Sequence, residues 1–591
     1  MNPNNKQNCH QLGSDYAKLL ELELDVVENQ EWETHREPIE KLLADGQAIG
    51  PVVHAQCTPI FSKAKQPKII RLQWELKIEH DQQNQTKLPI NAGVCLVSPE
   101  ITTTGTGTRK IRAKGALKTL ATDHVILTTD PTQRIEPGQY LIENTQEYAR
   151  RLKACLKKAN KAYPVFPNST PRTPNWAIRG VDQDQAIAEA LAAESMFVIQ
   201  GPPGTGKTYV LAKIALAELK RHKRVYVVGF SNQAVENALL EIRHVSEQSV
   251  TVYKKGDRRE IDADPPLPET DDGQLASHEP ICIGATFHSL VTADHLTIAD
   301  VILIDEAGQV PIYCAALLPQ FGKKLVFFGD HKQLAPVSPL PQPENIPTSA
   351  LTHILACMQA QQIDQAVGLI KTQRLCQPIC AAVRDHFYGG GITGLNLQPT
   401  ERNRSSKVTG TAYPGELVLI PHSHQGSGQF NEPEALIIQN IILDLLLLGQ
   451  VSIDQKPPRP VKPEDIVVLA PYRWQTKTLQ KKLGLGLTRG VTIGTVDKMQ
   501  GQSVPICIYS MTAGHPIDIA HQAEFLFDAH RFNVAISRSK AQCLIVGNLQ
   551  SHCDAQPKTA RGLVAQHQIV PLLRQAAQGH YQSPPALATL P

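Results

Sequence analysis

The chain lacks any Cys-x-x-Cys pair. Its 12 cysteines are scattered from Cys9 to Cys553, and the one close pair, Cys376 and Cys380, has no second pair to complete a zinc site. Reduced core thiols in a cytosol-like compartment are expected, not a disulfide framework. Charge of one sign is also lacking. The 59 Lys and Arg against 56 Asp and Glu leave a net +3, so a global basic field is excluded and any nucleic-acid surface must be local. No apolar run reaches membrane-spanning length, and the opening M-N-P-N-N-K-Q holds no signal-peptide hydrophobic stretch. A cytoplasmic location and no membrane contact are expected. There is no internal repeat and no coiled coil. What is present is ordinary for a globular protein, 41% hydrophobic and 19% charged over 591 residues, enough for three or four domains.

The most informative stretch is Gly201-Pro202-Pro203-Gly204-Thr205-Gly206-Lys207-Thr208. An apolar run, Met196 to Ile199, precedes it and reads as a buried strand. Tyr209 to Lys223 follows, with Val210, Leu211, Ile214 and Leu219 at helical spacing. Strand, glycine-rich loop and helix is the context of a phosphate cradle. Glycines let backbone N–H groups close round phosphate oxygens, and the helix N-terminus adds positive potential. Lys207 would reach the β- and γ-phosphates and the Thr208 hydroxyl would hold Mg²⁺.

Around this loop the texture changes several times. Tyr16 to Leu43 reads as an amphipathic helix. Pro51 to Thr129 holds short β-rich runs between turn residues, which suggests a small β-barrel. Thr145 to Tyr163 returns to helix, and a proline-rich linker, Tyr163 to Pro174, follows. Asp182 to Val337 alternates helices and apolar strands, the pattern of a parallel sheet. Ser338 to Pro347 is a proline-rich break, after which the alternation resumes to about Leu573, with Pro457 to Pro463 expected as an exposed loop. Ser246 to Glu279 is also expected to be a loop.

Val301 to Ile304 is an apolar strand that ends in Asp305 and Glu306. Asp305 suits a Mg²⁺ contact and Glu306 suits orienting and deprotonating a water. Leu325 to Phe328 leads into Gly329-Asp330-His331-Lys332-Gln333, where Gln333 is placed to sense a γ-phosphate.

Loop, D-E-A-G-Q and G-D-H-K-Q-L-A-P-V in this order resemble superfamily 1 (1B) helicases, with most similarity to the subfamily of the nonsense-mediated-decay helicase and the immunoglobulin mu-binding-protein helicase. Val181 to Gln185 resembles the adenine-reading Q motif, with Gln185 as reader. Ser231 to Asn237 resembles motif Ia and Gly284-Ala285-Thr286 motif Ib. Pro471-Tyr472-Arg473-Trp474-Gln475 resembles the P-Y-x-x-Q element, Gly494 to Gly501 motif V, and Arg531 to Lys540 motif VI.

The resemblance implies an α/β fold with two tandem RecA-like P-loop domains, preceded by a helical stalk that carries the small β-barrel. The implied boundaries are 1–50 for the stalk helix, 51–135 for the barrel and 136–175 for the second stalk helix and linker. The first RecA-like domain is 176–340, the second 341–575, and 576–591 a weakly ordered tail. It also implies ATP with Mg²⁺ in a cleft between the cores, Gly501 among the nucleotide contacts, and Arg374 and Arg538 as γ-phosphate arginines. Single-stranded or forked DNA or RNA would cross the opposite side, touching Ser231, Asn232, Thr286, Thr495 and Lys498. Trp474 fits either a base-stacking surface residue or a core tryptophan. The implied activity is an ATP-dependent helicase, a monomer moving 5′→3′. A translocase that remodels nucleoprotein without unwinding, or a nucleotide-gated clamp with little turnover, are the alternatives. Three departures stand out: Gln373 where the family usually stacks a tyrosine on adenine, Ser503 where a carboxylate usually meets the ribose, and Phe230 in place of a motif Ia proline.

Overall fold

In the computed structural model of the chain, the described residues are Ile135, the backbone of seven strands between 48 and 143, and residues 178–579 with breaks at 256–280, 292–296, 312–314, 316, 337–348, 390–393, 425–427, 485–488 and 497–502. The two stalk helices, the linker at 163–174, the break at 338–347, Lys498, Gly501 and the segment from 580 onward lie outside the described residues. Among those described, no helix is long and apolar enough to cross a membrane.

The first seven strands form one antiparallel sheet, running from Ala48–Ile49 at one edge to Val52–Phe61 at the other. It extends past the expected limits of 51–135, because Tyr140–Glu143 pairs with Gly93–Ile101. The expected boundary puts those four residues in the second stalk, because an apolar run as short as Tyr140-Leu141-Ile142 next to a charged helix-like stretch carries little strand signal.

The next eight strands build a wholly parallel sheet. Its order is Val252–Lys254, Cys282–Thr286, Val225–Gly229, Ala299–Ile304, Gly322–Gly329, Met196–Gln200, Ala366–Leu369, Arg179–Val181. Met196–Gln200 and Val225–Gly229 are buried at every position. That is why these runs read as continuous rather than alternating: both faces of a parallel sheet are covered by helices. Lys207–Lys220 and Asn232–Val245 cover one face, burying Leu211, Ile214, Val235 and Leu239.

Two expectations change here. The break between cores is not at 340: Ala366–Leu369 lies in the first sheet, bonded to Met196–Gln200. The proline run at 338–347 interrupts the first core instead of ending it, since proline marks where a strand or helix stops, not where a domain does. Within Ser246 to Glu279, Val252–Lys254 forms an edge strand beside Cys282–Thr286 rather than a loop.

The second core is a five-stranded parallel sheet ordered Leu417–Pro421, Ser539–Gly547, Val504–Ser510, Ile466–Ala470, Thr492–Thr495. Glu432–Leu448 and Arg473–Leu483 pack against it. Asn431 caps the first of these, its side chain accepting from the Glu434 N–H at 3.0 Å, a contact that contributes about 1 kcal/mol to a helix start. The Pro457 to Pro463 run is largely exposed, yet it supplies an edge strand, Arg459–Pro460, paired with Gln450–Ser452. An edge tolerates prolines because one side of the strand needs no partner.

Candidate functional site

Parallel register brings four strand ends to one edge of the first sheet. Gly329 lies opposite Gln200, Ile304 opposite Phe327, and Val228 opposite Ile304. The segments that follow these strands carry the phosphate loop, Ser231, the Asp305–Glu306 pair and Asp330. This is the crevice where open parallel sheets bind ligands.

The loop at 201–208 is tightly made. Gly204 has φ +72°, and a Cβ there would come within 2.3 Å of the Arg374 Cβ. Only glycine accepts both that backbone and that approach. Thr205 Oγ1 donates to the Pro202 carbonyl at 2.8 Å, and Lys207 Nζ donates to the Gly201 carbonyl at 2.7 Å. Residues leading to the second core hold the loop from outside: Thr372 Oγ1 donates to the Pro203 carbonyl at 2.8 Å, and the Gln373 N–H to the Gly204 carbonyl at 2.7 Å.

Asp305 is buried, with Oδ1 accepting from the Glu306 N–H at 2.9 Å. Burial and the neighbouring Glu306 carboxylate push its carboxyl up to about 7, against the pull of Lys207. Glu306 has φ 50°, a left-handed conformation that costs a non-glycine residue of order 1 kcal/mol or more and gathers at functional positions. Gly308 then lies hard against the next loop, where a Cβ would come within 2.7 Å of the Asp330 carbonyl oxygen.

The second core contributes cations. Arg538 is buried, its Nε donating to the Val534 carbonyl at 3.0 Å. Arg374 Nη1 donates to the Ser537 carbonyl at 3.2 Å. Burial first, and then the Arg538 guanidinium, bring Arg374 down to about 9; burial also lowers Arg538. Guanidiniums desolvated in this way become favourable once a polyanion enters beside them.

These groups share one space. A cavity of about 850 Å³ is lined by Gly204, Thr205, Gly206, Lys207 and Thr208, by Asp305, Glu306 and Gln333 from the first core, and by Arg374 and Arg538. Pro203, Gln373 and Ser503 also line it. Gly201 and Pro202 are buried behind the loop. The lining also includes residues not assigned to the site from sequence, among them Lys540 and Gln183. Lys540, two positions after Arg538 on the strand Ser539–Gly547, adds a cation, and that spacing was its signal. Gln183 donates from Nε2 to the Thr205 carbonyl at 2.8 Å.

Gln185 does not take the expected place. Asp182 caps the helix Gln183–Ala192 by accepting from the Gln185 N–H at 2.9 Å, and the Gln185 side chain runs along the exposed surface to Glu189 at 3.0 Å. The helix phase therefore aims Gln183, not Gln185, at the loop. Ser231 is also displaced from the far side, since it lines the cavity that holds Lys207. Its strand, Val225–Gly229, ends at the same sheet edge, and its Oγ caps Asn232–Val245 by accepting from the Ala234 N–H at 3.2 Å. Asn232 is half-buried at the start of that helix. Thr286 Oγ1 lies 2.9 Å from Ser289 Oγ, and Thr495 is buried at the end of its strand. Trp474 is 61% exposed with Lys477 Nζ 5.2 Å from its ring centre, so it is no core tryptophan.

Residues 180–376 and 350–550 each match a family described as an AAA domain. The DNA replication ATP-dependent helicase/nuclease dna2 of Schizosaccharomyces pombe is 26% identical over 423 residues, 66% of this chain and 29% of that protein. The DNA replication ATP-dependent helicase/nuclease JHS1 of Arabidopsis thaliana is 26% identical over 399 residues, 62% of this chain and 28% of that protein. The DNA polymerase alpha-associated DNA helicase A of S. pombe is 23% identical over 440 residues, 62% of this chain and 63% of that protein. The chain thus spans less than a third of the length of the first two. Across its two parallel-sheet cores it is similar to AAA domains of the superfamily 1 helicase kind.

Proposed function

We propose that the chain is a nucleic-acid-dependent NTP hydrolase that moves along a single strand, 5′→3′, and unwinds duplexes. The observation that carries this is the shared cavity: Lys207 and Thr208 enter it from the first core, Arg538 from the second. A hydrolysis site divided between two lobes makes turnover depend on their closure, which strand binding across both lobes can promote.

ATP phosphates would lie on the loop at 201–208, with Lys207 at the β- and γ-phosphates. The donor set fits Mg²⁺, because the Thr208 hydroxyl and the Asp305 carboxylate are hard oxygen ligands on one cavity wall. A bound Mg²⁺ would neutralise phosphate charge there. Glu306, aimed by its left-handed backbone, orients the attacking water and takes its proton. Arg374 and Arg538 neutralise charge on the γ-phosphoryl oxygens, and Gln333 senses the γ-phosphate. Phosphate release with no polymer, with single-stranded DNA and with single-stranded RNA tests the reading. Stimulation by either strand supports it, and identical rates in all three sink it.

Base recognition is weak in this scheme. Beside the main cavity lies a smaller one of about 250 Å³, lined by Val181, Asp182, Gln183, Leu369, Lys371 and Gln373 among others. Among the described residues no aromatic ring lines it. Without a stacking ring in this smaller cavity, kcat/KM for ATP, GTP, CTP and UTP should agree within about tenfold. A much stronger preference for ATP, with a micromolar KM, would contradict this.

The strand is held mainly through its backbone. Trp474 is the stacking candidate, exposed on a helix that also exposes Arg473, Lys477 and Lys481. Trp474→Ala should weaken single-strand binding by roughly tenfold, within the 1–3 kcal/mol of a base–aromatic stack; fluorescence anisotropy reads it, and unchanged affinity assigns the ring another role.

The antiparallel sheet over 48–143 we read as the small barrel of the nonsense-mediated-decay helicase subfamily. Support comes from its edges: Ile49 and Val52, three bonds apart in sequence, belong to opposite edge strands. Six spacings of about 4.8 Å separate such edges in a flat sheet, which two intervening residues cannot bridge, so the sheet must curl.

A further inference from the structure

Tyr388 ends a π-helical turn, Arg384–Tyr388, that continues the helix Gln377–Val383. Such turns are rare and concentrate at functional positions. The helix is fastened to the second core. The Cys376 N–H donates to the Lys540 carbonyl at 3.2 Å, and His386 Nε2 lies 2.9 Å from Gln575 Oε1. Yet the Tyr388 hydroxyl donates to Oδ2 of Asp330, in the first core.

That oxygen is already engaged. Gln333 Nε2 donates to it at 2.7 Å, while Asp330 Oδ1 accepts from the Lys332 N–H at 3.1 Å. From the other side, Asn533 on the helix Ala529–Ile536 donates from Nδ2 to the Tyr388 hydroxyl at 2.9 Å and to the Lys332 carbonyl at 2.8 Å. Asp330, Gln333, Tyr388 and Asn533 are all buried. Away from water each of these bonds is costly to lose. The cluster has one end in the nucleotide cavity, at Gln333, and the other on the helix that leads to Arg538.

We propose that Tyr388 is a positioning residue that couples the nucleotide cavity to closure of the two lobes. Its hydroxyl holds Asp330, and through it Gln333, in place when Asn533 is seated against the first core. Parting of the lobes breaks the Tyr388–Asp330 and Asn533–Lys332 contacts together and releases Gln333. Burial and the Asp330 carboxylate raise the phenol well above its ordinary value, so it stays a donor throughout the working pH range.

This inference rests on the proposed hydrolase activity, and Tyr388→Phe tests it by removing the hydroxyl and keeping the ring. Nucleotide affinity should hold, while the ratio of strand-stimulated to unstimulated turnover falls by roughly 5- to 150-fold, the span of ordinary coupling between sites. Asn533→Ala approaches the same contact from the second core and should lower the same ratio. The double variant should fall no further than the more affected single variant, because both remove one linkage. An unchanged ratio in Tyr388→Phe overturns the proposal. So do losses that multiply in the double variant, or an equal fall in stimulated and unstimulated turnover. If the unaltered protein itself is not stimulated by either strand, the hydrolase reading fails first.

Discussion

Glu306→Gln is expected to bind nucleotide with near-normal affinity and to lose turnover by about 10²- to 10⁴-fold, the usual contribution of a positioned general base. The substitution keeps the shape of the side chain and removes only its basicity. Glu306 lines the cavity beside Lys207 and Gln333, and its backbone sits at φ 50° two residues after the buried end, Val301 to Ile304, of its strand. A conformation that costs energy persists only where the surroundings enforce it. Here the enforcement comes from the Asp305 carboxylate, which accepts the Glu306 N–H, and from the Gln309 N–H, which donates to the Glu306 carbonyl at 2.8 Å. Titration with a fluorescent nucleotide beside a phosphate-release assay separates binding from turnover. Normal hydrolysis by Glu306→Gln would remove Glu306 from the role of base.

Arg538→Ala should be equally damaging by a different route. A guanidinium that neutralises the transferring phosphoryl group is worth about 10³- to 10⁵-fold in turnover. The ground state needs it less, because Lys207 and the loop at 201–208 stay in place to hold phosphates. Strand-stimulated turnover should therefore collapse while nucleotide affinity changes little. Arg538→Lys should not restore it, since a point charge lacks the planar fork that meets two phosphoryl oxygens. Arg538→Ala turnover within tenfold of the unaltered protein would assign the arginine to packing.

How much of this was legible follows from where each signal resides. The phosphate loop, Asp305 with Glu306, and Asp330 with Gln333 are short segments at strand ends, and strand, turn and helix are written locally as apolar runs, glycines and caps. Gln183 was missed because choosing between two glutamines two positions apart requires the phase of a helix whose start is set by the Asp182 cap. Ser231 was placed on the wrong side because strand order within the sheet is not a local property. Val225–Gly229 lies three places from Met196–Gln200, with two later strands between them, only once the chain has crossed over. The first core's limit was misjudged for the same reason, as Ala366–Leu369 returns to a sheet that a proline run had seemed to close. Tyr388 had no local signal. Its significance exists only where Asp330 and Asn533, 203 positions apart in sequence, meet its hydroxyl.

The most direct test is a high-resolution structure of the protein with ADP, aluminium fluoride and Mg²⁺, which mimic the transferring γ-phosphoryl group. The account predicts Lys207 Nζ and the Arg538 guanidinium both within about 3 Å of the fluorine atoms that stand in for the γ-phosphoryl oxygens, one from each core. An analogue held by Lys207 alone, with Arg538 turned away and buried in its own lobe, would contradict it.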